Sequence, residues 1–393
     1  MKKVLFVVHS LGIGGVEKIL IETLNSVNKN KFDIKLAVNS FKENILENEL
    51  DNNIKIEYIQ NQKIIEKIEN LGNKNSYKKI IRFFYKKYLK YITQKKYDLL
   101  SYDRDIIVDF SNGENIKKIK FKDKIKKICW IHWNIYNVFD IKNKRKKVLK
   151  RLRKFDKIIC VSKEIKEDLT KEFIELNGKV ENIYNSMDRK KILFKSNEIT
   201  DLTSREKELL KKNYLLMVSR LDGKVKDFET LISAYEKYKK NNEEGTTLLY
   251  ILGEGSYREK LIELIERKKL KNNILLLGKK LNPYPWIKNS KILIQSSKTE
   301  GLPTTLIEGL ILKKLMIATD CKTGPREILD NGNLGVLVPV NDSEIMSEKI
   351  VELLEENSEL KYKIENNLQN DDYLKKYDRW EVIKEIERVL EEK

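Results

Sequence analysis

Short aliphatic runs alternate along this chain with longer segments whose apolar residues recur at helical spacing. In the first half the runs are residues 4–9, 32–38, 54–59, 105–110, 127–132, 157–161 and 180–184. In the second they are 214–219, 248–252, 274–277, 291–295, 315–319 and 335–339. Each has the length of a strand buried on both faces. Between them, Val16, Ile19, Leu20, Leu24 and Val27 mark one helical face, and Leu302, Leu306, Ile307, Leu310 and Ile311 mark another. This alternation predicts an α/β chain of parallel sheets with helices on both faces. In such sheets ligands gather at the carboxyl ends of the strands.

With 393 residues the chain is long enough for two domains, each with its own core. Polar and charged residues from 191 to about 212 read as a connector between a first domain, 1–190, and a second, 213–370. Residues 371–393 end in an amphipathic helix carrying Trp380, Val382, Ile383, Ile386, Val389 and Leu390.

The net charge of +19 belongs to one half. Residues 1–200 hold 45 Lys and Arg against 26 Asp and Glu, and the remainder holds 34 of each. A basic half attracts polyphosphates, so nucleic-acid binding is one reading. The charge nevertheless lies within a doubly wound domain and no nucleic-acid-binding motif accompanies it, so no nucleic-acid partner is expected. No apolar run approaches membrane-span length, and residues 1–9 form a strand-length run followed by glycines rather than a signal peptide, so a cytoplasmic protein is expected. Cys129, Cys160 and Cys321 are too scattered for a disulfide framework or a C-x-x-C site, and His9 and His132 are the only histidines. No metal site is expected. Asp103-Arg-Asp105 has the D-x-D form of a metal motif, but it falls at the amino end of its strand and reads as surface charge.

Candidate chemistry concentrates in Q-S-S-K-T-E-G-L-P-T-T-L-I-E-G-L, residues 295–310. A strand, a polar turn and a helix follow one another here. Pro303 suits the first turn of that helix. The amides of Thr304, Thr305 and Leu306 then form an anion site at the positive end of the dipole, and Gly301 lets a phosphate approach the backbone. Glu300 and Glu308 frame the turn, and a carboxylate at such a place accepts from sugar or ribose hydroxyls. The opening of the chain has a related form. Ser10-Leu-Gly-Ile-Gly-Gly15 joins a strand to a helix, but Glu17 and Asn39 stand where a dinucleotide fingerprint requires a glycine and an acid. A nicotinamide enzyme is therefore disfavoured.

The 295–310 stretch resembles the E-x7-E signature of retaining glycosyltransferases with the two-Rossmann-domain GT-B fold, those like family 4. Further segments extend the resemblance in the family's order. They are the G-G-x-E of Gly14-Gly15-Val16-Glu17, the Y-N-S-M-D of 184–188, Arg220-Leu221 followed by Lys226-Asp227-Phe228, and the G-P-x-E-I of 324–328. The resemblance implies two Rossmann-like domains facing across a cleft, with the last helix crossing back to the first. It places Glu300 at the transferred sugar and Glu308 at the ribose, and has His132 touch the donor sugar or its phosphate. Arg220 and a lysine clamp the diphosphate. Counting back from Phe228 makes that lysine Lys226, while one extra residue after Arg220 keeps Lys224 as a rival. Gly14, Gly15, Gly253, Gly278, Lys279, Gly301, Leu302, Thr304 and Thr305 complete the implied donor site.

The implied reaction moves a sugar from a nucleotide diphospho-sugar, UDP- or GDP-linked, to a hydroxyl, with retention and without a metal or other cofactor. A GT-B sugar-nucleotide epimerase would share the nucleotide site. Residues 77–92 add a clue to the acceptor. Ile81, Phe84, Tyr85, Tyr88, Tyr91 and Ile92 share one helical stripe, with Lys78, Lys79, Arg82, Lys86, Lys87 and Lys90 flanking or opposing it. A basic aromatic helix of this kind suits an anionic membrane surface on the inner face of the cell membrane, and with it a lipid-linked or glycan acceptor.

Overall fold

The computed structural model describes residues 1–12, 14–40, 44–71, 76–115, 124–139, 141–242 and 245–392. All thirteen aliphatic runs are strands. The chain divides into a unit of Met1–Ser186 with Val382–Lys393 and a unit of Met187–Glu381.

The first unit holds β1 (Lys2–Val8), β2 (Phe32–Val38), β3 (Lys55–Tyr58), β4 (Ile106–Asp109), β5 (Lys126–Ile131), β6 (Lys157–Cys160) and β7 (Val180–Asn182). They pair in parallel in the order β3-β2-β1-β4-β5-β6-β7. Connections run outward in both directions from the β1–β4 boundary, so the loops after these two strands part there and leave a crevice. The aliphatic content follows from the two-sided cover: Val4, Leu5, Phe6 and Val7 are wholly buried. Val389, Leu390 and Ile386 of the helix Arg379–Glu391 are buried too. Lys2 Nζ and Lys126 Nζ donate to the last carbonyls of that helix, 3.0 Å to Leu390 and 2.6 Å to Val389, where cations also favour the dipole.

The second unit holds β8 (Tyr214–Val218), β9 (Leu248–Leu252), β10 (Ile274–Gly278), β11 (Ile292–Gln295), β12 (Met316–Thr319) and β13 (Val336–Val338). Their order is β10-β9-β8-β11-β12-β13, with the reversal between β8 and β11. The segment 191–212, expected as a connector, instead forms the end of the helix Arg189–Lys195 and the helix Ser204–Leu210 within this unit. Thr203 and Glu206 make a reciprocal capping box at the second helix, and this local signal fixes its start.

The basic helix runs from Ser76 to Ser101 and departs from the expected single stripe. Tyr97 is fully buried in a cluster with Leu5, Val7, Ala37, Ile59 and Ile107. Ile81, Tyr85 and Ile92 are half-buried, whereas Phe84, Tyr88 and Tyr91 are 64%, 54% and 63% exposed, together with Tyr77, Ile80 and Phe83. The helix has one turn face too many for the surface it covers, and its outer aromatic edge meets water. Among the described residues no helix is long and apolar enough to cross a membrane.

Candidate active site

The β8–β11 reversal in the second unit gathers most of the predicted residues. Asp222, Val225 and Asp227 lie in the loop after β8, and backbone bonds sew this loop to its neighbours. Ser219 donates to Leu252 at the end of β9 and Leu221 to Glu254 beyond it, each at 3.0 Å, and Gly253 donates 2.9 Å to Gly278 at the end of β10. On the other side Asp227 donates 3.1 Å to Ser296, and Lys298 donates 2.8 Å to Val225. Gly253 is required here. Its φ is +147°, and an added Cβ would stand 1.8 Å from the Ser219 carbonyl oxygen.

Between these loops Lys226 Nζ forms an ion pair with Glu300. Both side chains are well covered, 12% and 6% exposed. Lys226 also lies 3.4 Å from Ser297 Oγ and forms a backbone bridge to Ser297. Lys224 is exposed, its backbone N–H bound to Asp222. Of the two candidate lysines, only Lys226 reaches the acid. Arg220 is exposed at the end of β8, and Lys279 is exposed beyond β10.

The helix after Glu300 spans Thr304–Ile311, with Pro303 as its N-cap rather than its first helical residue. Pro303 has ψ 104°, an extended value, so the helix begins one residue later than expected. The Leu306 amide bonds the Pro303 carbonyl at 3.1 Å, which removes it from the expected anion site and leaves Thr304 and Thr305 ahead of the first helical bond. Gly301 and Leu302 are buried. Gly324, at φ +95°, lets the 324–328 turn close on this loop, since a Cβ there would lie 2.7 Å from the Gly301 oxygen. Glu308 is 5% exposed, not a solvated surface acid. It follows Thr304 by four residues, and helical side chains tilt toward the N-terminus, so its carboxylate shares the face of the helix opening.

In the first unit Gly14 caps the helix Gly15–Ser26 in extended conformation, and Ile13 lies outside the described residues. His132 follows β5 and is 5% exposed. Its ring lies 4.4 Å from that of Phe110. Burial lowers its pKa to about 3, against the smaller raising effect of a hydrogen bond to the Phe110 backbone. A bond that favours the protonated ring is one donated to a carbonyl. The neutral ring therefore donates from one nitrogen and keeps Nε2, which has no partner among the described residues, as an acceptor.

This burial has a pH signature. The folded pKa lies below the ordinary value of 6.5, so between the two the unfolded chain binds more protons and stability falls as pH drops below about 6.5. At pH 4 the contribution is on the order of 3 kcal/mol at 1.36 kcal/mol per unit. In urea unfolding at pH 7 and pH 4, His132→Gln should lose correspondingly less stability than wild type. The same loss in both proteins would contradict this account.

Asp103 and Asp105 stand at the amino end of β4. Asp105 accepts from the Lys3 backbone at 2.7 Å, and Asp103 from Lys3 and Arg104. Cys129, Cys160 and Cys321 are free and buried.

Gln295, Ser297 and Thr319 join the site only in the folded chain. Gln295 Nε2 and Ser297 Oγ donate to Glu300 Oε1 at 2.8 and 2.7 Å. Thr319 Oγ1 accepts from the Ser297 amide at 2.8 Å and donates to its carbonyl at 2.7 Å. Their trace in the sequence is a polar residue closing each of two aliphatic strands, Gln295 in β11 and Thr319 in β12.

Two parallel sheets, each with a reversal in strand order, and a covered Lys–Glu pair beside a helix N-terminus define a chain of the GT-B class. Residues 13–191 match the family model described as Glycosyltransferase Family 4, and residues 199–371 match Glycosyl transferases group 1. The chain belongs to the GT-B glycosyltransferases. An uncharacterized glycosyltransferase of Methanocaldococcus jannaschii is 31% identical over 264 residues, 64% of this chain and 62% of the relative. An N-acetylgalactosaminyltransferase of Campylobacter jejuni, named for an N-acetylgalactosamine-N,N'-diacetylbacillosaminyl-diphospho-undecaprenol acceptor, is 34% identical over 203 residues, 52% of each chain. The matches thus span between half and two thirds of these relatives. HepE of Anabaena, crystallised with UDP and glucose, superposes with a TM-score of 0.75 at 17% identity, over 99% of both chains. At that identity the likeness is one of fold.

Proposed function

We propose that this protein transfers a sugar from a UDP-sugar to a hydroxyl of a lipid-linked glycan, with retention and without a metal. The covered Lys226–Glu300 pair at the β8–β11 reversal carries this reading. A diphosphate entering here meets Lys226, Arg220 and the Thr304 and Thr305 amides, fixed positive groups that stabilise the charge left when the sugar departs. Glu300 accepts from the sugar's hydroxyls and Glu308 from the ribose. Gly253, Gly278 and Gly301 let the backbone approach the nucleotide, with Leu302 and Lys279 at its margin. In the first unit Gly14 and Gly15 open a helix N-terminus, and His132 offers a neutral acceptor to a hydroxyl. The UDP bound in HepE supports the choice of nucleotide, and the Campylobacter relative's acceptor supports a lipid-linked one.

A thermal-shift series with UDP-, GDP- and ADP-sugars, with and without excess EDTA, tests the donor. A donor at 100 times its dissociation constant stabilises by roughly 2.7 kcal/mol. A shift with UDP-sugars that survives the chelator is expected. A response only to GDP-sugars, or only with added Mg²⁺ or Mn²⁺, would refute the corresponding part of the reading.

Membrane contact belongs to the same reading. Exposed Tyr77, Ile80, Phe83, Phe84, Tyr88 and Tyr91 alternate with Lys78, Lys79, Lys86, Lys87 and Lys90 on one helix, and Lys87 lies 4.6 Å from the Phe83 ring centre. Apolar rings enter the headgroup boundary while each cation near an anionic surface adds about 1 kcal/mol. The protein should co-sediment with phosphatidylglycerol vesicles at low salt, and a variant with Lys78, Lys79, Lys86 and Lys87 changed to Glu should stay in solution. Equal sedimentation of both would sink the idea.

A further inference from the structure

We infer that Gln295 and Ser297 are positioning residues for Glu300, fixing one oxygen of its carboxylate so that the other is presented to the transferred sugar. The inference rests on the reading of Glu300 given above. Lys226, Gln295 and Ser297 all donate to Oε1, and Oε2 has no hydrogen-bond partner among the described residues. Lys226 is the cation assigned to the diphosphate, so it cannot also be a constant support. The two neutral donors remain when the lysine turns to its anion.

Both donors are themselves held. Gln295 Nε2 also donates to Ser297 Oγ at 3.1 Å, and the Ser297 backbone is clamped at its N–H and its carbonyl by Thr319 Oγ1. Ser296 Oγ donates 2.7 Å to the Asp227 carbonyl, tying the same turn to the loop that carries Lys226. Gln295, Ser296, Ser297 and Thr319 are at most 1% exposed, so water does not compete for these bonds.

The orientation of Gln295 separates a positioning role from a merely structural one. Its Oε1 is buried and has no partner among the described residues, a cost that a methionine of similar length would remove. Only the two bonds of Nε2 offset that cost, and they go to Glu300 and to the serine that supports Glu300. Stability and turnover should therefore move separately in Gln295→Met.

The test measures UDP release from UDP-glucose, UDP-N-acetylglucosamine and UDP-N-acetylgalactosamine, UDP affinity by calorimetry, and the melting temperature. Gln295→Met and Ser297→Ala are made in the wild-type protein and in Glu300→Gln. In wild type each should lower kcat roughly ten- to a hundredfold, the scale of a displaced catalytic group. UDP affinity should hold, and the melting temperature of Gln295→Met should not fall. In the Glu300→Gln background each should cost less than about twofold, because the group they position has already been altered. Equal losses in both backgrounds, weakened UDP binding in both variants, or wild-type kcat in both would overturn the inference while leaving the site reading intact. Wild-type kcat in Glu300→Gln itself would instead overturn that reading, and this inference with it.

Discussion

Glu300→Ala is expected to lower kcat by about a thousandfold with UDP affinity nearly unchanged, the scale of losing a group that acts on the developing charge. Glu308→Ala should do the reverse, weakening UDP binding by about tenfold while leaving kcat within a few-fold, as loss of a hydrogen bond to a hydroxyl predicts. The contrast follows from position. Glu300 sits in the turn, joined to Lys226, to Gln295 at the end of β11 and to Ser297, whereas Glu308 lies on the helix, on the face of its N-terminus. Steady-state kinetics together with calorimetry on UDP separates the two. Near-normal constants in both variants, or the two effects exchanged, would refute the assignment.

The second large effect is expected from a single methyl group. Gly253→Ala places a Cβ 1.8 Å from the Ser219 carbonyl oxygen, on a backbone held at φ +147°, a conformation open to glycine and strained for alanine. Neither side yields readily, because Ser219 is bonded to Leu252 and Gly253 to Gly278. A loss of more than about 3 kcal/mol of stability in the second unit is expected, with UDP binding abolished at ordinary concentrations. Gly332→Ala is the comparison, since its φ of +97° is also positive but nothing stands within 4 Å of an added Cβ. It should show the cost of backbone strain alone, about 1–2 kcal/mol. Equal destabilisation of the two variants would mean that the close approach of the β8 and β9 loops contributes nothing.

The exposed aromatic edge of the helix Ser76–Ser101 illustrates a limit of periodicity. A helical wheel groups Ile81, Phe84, Tyr85, Tyr88, Tyr91 and Ile92 within one sector. It does not say how wide a strip the neighbouring surface will cover. Here the strip narrows to Ile81, Tyr85 and Ile92 and leaves Phe84, Tyr88 and Tyr91 outside. The connector fails for the opposite reason. The polar composition of 191–212 reads as a linker, yet the pair Lys280–Glu206 and the 2.8 Å bond from Asn282 to the Lys195 carbonyl hold it to the second unit.

By itself the sequence determined the thirteen strands, their parallel class and the family, because each buried strand is a contiguous aliphatic run and each motif is a contiguous string. It also located Glu300, Arg220 and His132 in the loops after strands and Glu308 inside the helix that follows, since strand ends follow from where such runs stop. Tertiary structure alone paired Lys226 rather than Lys224 with Glu300, buried Glu308, set His132 against Phe110 and placed Gln295, Ser297 and Thr319 around the Glu300 turn. Those outcomes depend on strands brought side by side from distant parts of the chain. Lys226 and Glu300 are 74 residues apart, and only the adjacency of β8 and β11 brings their loops into hydrogen-bonding range.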